Sequence, residues 1–67
     1  MTLIIHHGSH LERKLYEMYL LNRGYSSWSE YLLQLDPSII QVSMHEWDTY
    51  VEFDSDQRMT WFILKWA

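Results

Sequence analysis

Glu30, Asp36, Glu46, Asp48, Glu52, Asp54 and Asp56 lie between Gly24 and Gln57, a stretch with no lysine or arginine. Five of these acids fall within residues 46–56, all at even positions, and the odd positions between them include Trp47, Thr49, Val51 and Phe53. A period of two is that of a β-strand with one packed face and one solvated face. Carboxylates two apart on such a strand stand about 6.6–7 Å from one another. Each strand of duplex DNA carries a charge about every 3.4 Å of axis. A row of fixed acids therefore imitates a phosphate track coarsely and suits a protein's basic groove. Asp48, Glu52 and Asp54 are expected to form the row, with Glu46 and Asp56 at its ends. Tyr50 inside it adds an aromatic anchor of the kind enriched at interface hot spots. The same acids have a plainer use, since charge keeps a small apolar protein soluble and discourages edge pairing. Ordinary mixed-sign surfaces include lysines, however, and this row has none.

Other chemistry is thin. His6, His7 and His10 cluster within five residues, and imidazole is a common metal ligand. If the N-terminal strand continues, His6 and His7 point to opposite faces, and neither an H-E-x-x-H pattern nor a His-x-His pair is present. The expected reading is polar histidines at a strand–helix junction, with no metal and no cofactor. The chain has no cysteine nucleophile, no G-x-S-x-G and only two glycines, so no glycine-rich phosphate loop. A chain this short offers little room for the dry, walled pocket that raises a carboxylate pKa. Catalysis is not expected.

At 67 residues the chain is expected to be one domain, 1–67, near the lower limit for independent folding. It has no disulfide to compensate, and four Trp, five Tyr and two Phe supply large areas per side chain instead. The net charge of −4 argues against direct nucleic-acid binding or an anionic membrane surface and permits a basic protein partner. No apolar run approaches the ~20 residues of a membrane span. The N-terminal residues lack the pattern of a signal peptide. The expected compartment is the cytoplasm, or the host cytoplasm for a viral protein.

The elements that must position these residues follow from period and punctuation. Thr2 to His6 is a β-branched-rich run that reads as a strand. Ser9 and Glu12 have capping-box spacing, and Leu11, Leu15, Met18, Tyr19 and Asn22 recur at helical spacing behind them. Gly24 is expected to cap that helix, and Arg23-Gly24-Tyr25-Ser26 to turn into a second helix. Ser27 and Glu30 open it, Trp28, Tyr31, Leu32 and Leu35 form its core stripe, and Asp36-Pro37 stops it. From Ile39 the period becomes two, with Ile40, Val42 and Met44 alternating with Gln41, Ser43 and His45. A turn near His45-Glu46 leads to a strand from Trp47 to Phe53, and residues 54–57 form another turn. Arg58 to Trp66 reads as a strand apolar on both sides, with Met59, Trp61 and Ile63 facing one way and Phe62, Leu64 and Trp66 the other.

The expectation is thus an α+β two-layer sandwich of order β-α-α-β-β-β. Two N-terminal helices pack on an antiparallel sheet that ends in a three-stranded meander, with the first strand at an edge. Phe62, Leu64 and Trp66, left uncovered, suggest self-association as a dimer or a second apolar contact. The expected function is a small acidic, non-catalytic protein-binding module. It docks Glu46, Asp48, Tyr50, Glu52, Asp54 and Asp56 on a basic, nucleic-acid-handling protein, as an inhibitor or modulator. Size and chemistry suit a product that a virus or mobile element directs against a host factor. An antitoxin or immunity-type partner covering a toxin's active site shares the same physics. A metal-binding protein built on His6, His7 and His10 is the alternative of a different class.

Overall fold

The structure, a computed structural model, describes residues 1–22, 24 and 27–66. Six elements follow one another: β1 (Thr2–Ile5), α1 (His10–Leu21), α2 (Trp28–Leu35), β2 (Ile39–His45), β3 (Asp48–Phe53) and α3 (Asp56–Trp66). The class is α+β, with three helices and one antiparallel three-stranded sheet of order β1-β3-β2 among the described residues.

The N-termini of the first two helices are set by serine caps. Ser9 Oγ accepts the Glu12 N–H at 3.2 Å, and Ser27 Oγ accepts the Glu30 N–H at 3.1 Å. The return half of the first box is displaced by one residue. Glu12 Oε1 accepts from the Gly8 N–H at 2.8 Å, and Gly8 itself sits at φ 81, where a side chain would strain the turn. At the far end of α1, the Asn22 N–H reaches the Met18 and Tyr19 carbonyls. Asn22 is therefore the cap, not the expected Gly24, which lacks the left-handed φ of such a cap; Arg23, Tyr25 and Ser26 of the expected connection lie outside the described residues. Asp36, extended before Pro37, ends α2 as expected.

The largest correction is at the C-terminus. Residues 58–66 are helix, not a third meander strand, so the order is β-α-α-β-β-α. Ser55 explains the start: its Oγ accepts the Arg58 N–H at 3.3 Å and its carbonyl accepts the Met59 N–H. Met59, Phe62, Ile63 and Trp66 then recur at i, i+3, i+4 and i+7, the spacing of one helix face. Phe62 is buried, and Met59 and Trp66 pack against the core. The place in the sheet beside β3 that the expected strand would take is filled by β1, in the register Thr2↔Glu52 to Ile5↔Thr49.

One core joins all six elements: Ile5, Leu15, Tyr31, Leu32, Ile39, Val51, Phe53 and Phe62. The Phe53 and Phe62 rings meet edge-on at 5.3 Å, which pins α3 to the central strand. On α1 the inward stripe is Leu11, Leu15 and Tyr19, while Met18 and Asn22 are exposed. The expected α2 stripe, Trp28, Tyr31, Leu32 and Leu35, packs inward as read. On β2 a bulge breaks the alternation. Ile39 pairs Phe53 and Gln41 pairs Glu52, so Ile40 is the extra residue, left 58% exposed while Ile39 is buried.

Candidate functional site

β3 is the central strand, and its burial alternates strictly. Thr49, Val51 and Phe53 face the core, whereas Asp48, Tyr50 and Glu52 are half-exposed on the opposite face. The register places Thr2 and Gln41 beside Glu52, and Ile4 and Ser43 beside Tyr50, with His45 beside Asp48. Thr2, Ile4, Gln41 and His45 are exposed, so the row lies in the middle of an uncovered patch. The His45 ring stands edge-on to Tyr50 at 5.4 Å.

The acidic row is shorter than its sequence suggests. Asp48 and Glu52 belong to it with Tyr50 between them. Asp54 lies beyond the strand end, and Asp56 is in the first turn of α3, where a negative charge complements the helix dipole. Glu46 and Trp47 form the two-residue loop of the β2–β3 hairpin, closed by the His45↔Asp48 pair. Trp47 was expected on the packed face of the strand and is instead 74% exposed at the hairpin tip. Glu46 has φ 56. Positive φ at the first loop residue favours glycine, so a glutamate there is held against its own backbone preference.

Asp48 also does local structural work. Its Oδ1 accepts the His7 N–H at 3.2 Å, and its Oδ2 is 3.4 Å from His6 Nδ1. This ties β3 to the turn after β1. His7 Nδ1 lies 3.3 Å from Glu12 Oε2, and its ring is 5.8 Å from that of Trp47. The His6 and His7 rings thus address different acids on different elements. Among the described residues no group of three His, Cys, Asp or Glu converges as metal ligands.

The trio Phe62, Leu64 and Trp66 does not form a surface. Phe62 is 1% exposed, Trp66 is half-buried against the core, and only Leu64 stands out at 73%. The reason is the helical period, which turns Leu64 away from the other two.

A site that spacing did not reveal is Asp36, expected only to stop a helix. Its carboxylate is 2% exposed. Oδ1 accepts from the Ser38 N–H at 2.9 Å and the Ser38 hydroxyl at 2.8 Å, and Oδ2 accepts from Arg58 Nη2 at 3.0 Å. Burial pushes its carboxyl up, but the Ser38 donors and the Arg58 guanidinium outweigh burial and hold it below the ordinary 3.8. The contact locks α3 to the α2–β2 loop. The D-P-S string is the only local signal, a turn in which Asp bonds two residues on.

The described lysines and arginines, Arg13, Lys14, Arg58 and Lys65, all sit on α1 and α3, and no strand carries one. No family model matches the chain, and neither does any curated protein or solved structure. No helix among the described residues is long and apolar enough to cross a membrane.

Proposed function

We propose that the protein is a small non-catalytic binding module of two layers, with the helices on one sheet face, that docks the other face onto a basic-surfaced protein. The observation that carries this reading is the Asp48–Tyr50–Glu52 row. It lies on the central strand, half-exposed, in a sheet without a lysine or arginine. Two carboxylates flanking a phenol offer charge-assisted hydrogen bonds to arginine and an aromatic face on which a guanidinium stacks. A nucleic-acid-handling protein has the complementary basic surface, and occupying it would inhibit or redirect that protein.

A second copy of the chain is a poor occupant of this face. A two-fold contact apposes the same patch on both subunits, which brings Asp48 and Glu52 against their own equivalents. The arrangement favours a heterologous, oppositely charged partner.

The test is capture of basic proteins from the native source on immobilised protein, followed by titration of the captured species. Tyr50→Ala is expected to weaken binding by about 2 kcal/mol, the scale of an interface hot spot, and Glu52→Gln to flatten the salt dependence. Unchanged affinity for both variants would reduce the face to a solubility device.

A further inference from the structure

The core-facing side of the sheet is not fully covered. At the hairpin end, Met44 pairs with buried Thr49 yet remains 54% exposed. Beside it a groove of about 650 Å³ opens between α1, the start of α2 and the hairpin tip. Its walls are Tyr16, Trp28, Met44 and Trp47. That volume falls in the range of small-molecule sites, about 300–1,000 Å³.

The groove offers aromatic faces and few donors. Trp28 Nε1 already donates to Thr49 Oγ1 at 3.1 Å, and the Trp28 ring packs against Tyr16 at 5.6 Å. Tyr19 and Tyr31 also pack on that ring, so the groove offers the part of the Trp28 face they leave open together with the exposed Trp47 ring, and such faces attract cations. The charges agree. Among the described residues that line the groove, Glu12, Glu17 and Glu46 stand against one guanidinium, Arg13. Glu12 is engaged by Gly8 and His7, which leaves Glu17 and Glu46 to face a ligand. Glu46 is the residue held at positive φ, in the same turn that projects Trp47. Backbone strain of this kind gathers at ligand clamps.

We infer that the groove binds a small organic cation with an apolar body, an aryl- or alkylammonium. The body lies between Trp28, Tyr16 and Trp47, and the ammonium sits at the Glu17–Glu46 rim. This inference does not depend on the docking face, because Asp48, Tyr50 and Glu52 do not line the groove.

The experiment uses three phenylalkyl probes with three head charges: 4-phenylbutylamine, 4-phenylbutan-1-ol and 4-phenylbutyrate, whose chain has the same four carbons with the last one oxidised to the carboxylate. Binding is followed by tryptophan fluorescence and by the indole N–H resonances of Trp28 and Trp47. The amine should bind about tenfold tighter than the alcohol, the scale of a cation–π contact with a carboxylate nearby, and the butyrate weakest. Trp47→Ala, at an exposed tip that leaves the core intact, should remove most of the amine's affinity. Glu46→Gln should bring amine and alcohol together, and Arg13→Gln should tighten the amine. Equal binding of amine and alcohol, preference for the butyrate, or the absence of saturable shifts at Trp28 and Trp47 would each overturn the assignment.

Discussion

Two residues concentrate the local energetics, and each makes a separate prediction. Asp36 is buried, bonded to Ser38 and paired with Arg58, and its carboxyl is held below the ordinary value. A carboxylate depressed in the fold stabilises the protein above its unfolded pKa of about 3.9, and that contribution fades as pH falls through the folded value. Asp36→Asn should therefore cost about 1–3 kcal/mol at neutral pH, the range for disturbing a buried hydrogen-bonded group. The gap between wild type and variant should close as urea denaturation is repeated at progressively lower pH below about 4. A gap that stays constant throughout that acid range would mean the charge contributes nothing. Glu46 predicts the opposite sign. Glu46→Gly removes the left-handed penalty of about 1–2 kcal/mol, and the extra unfolded-state entropy of glycine offsets only about 0.4–1 kcal/mol of that gain. The melting temperature should rise by a few degrees for a domain of this size, and amine binding in the groove should fall. A residue that costs stability and supports a site is the pattern expected of function.

At the scale of elements, what was legible depended on whether one period dominated. The caps at Ser9 and Ser27, the α2 stripe and the alternation of β3 were all readable, because each rests on neighbours within four residues. The terminal segment was not. Met59, Trp61 and Ile63 fit a period of two, while Met59, Phe62, Ile63 and Trp66 fit a period of 3.6 equally well, and a short apolar run does not separate the two. Ser55 decides it, as a cap within a cluster that also reads as a turn. The bulge at Ile40 and the exposure of Trp47 were likewise hidden, since both depend on pairing register. For the site, the acids and Tyr50 were visible as types, but which of them share a face required the strand's end at Phe53. The helical assignment predicts three unequal effects on stability. Phe62→Ala should cost about 3–5 kcal/mol as a core truncation, and Ser55→Ala about 1 kcal/mol as a lost cap. Leu64→Asp should stay within about 0.5 kcal/mol as a surface change. Chemical denaturation of the three variants checks the ranking, and a Leu64→Asp loss as large as that of Phe62→Ala would contradict it.

The whole molecule is electrically lopsided. Its described lysines and arginines ride on α1 and α3, and its sheet presents carboxylates around a tyrosine. On the docking account, net charge of −4 on so small a body speeds approach of a basic partner and makes it salt-sensitive. Glu52 is the better probe of this face than Asp48, because Asp48 also holds the turn after β1 through the His7 N–H. The most direct measurement is titration of a captured basic partner at about 50 and about 300 mM salt, where the Debye length falls from roughly 14 to 6 Å. Wild type, Glu52→Gln and Tyr50→Ala are compared side by side. The docking account predicts wild-type binding that weakens steeply with salt, a shallower slope for Glu52→Gln, and loss at both salts for Tyr50→Ala. Salt-independent binding that both variants retain in full would contradict it.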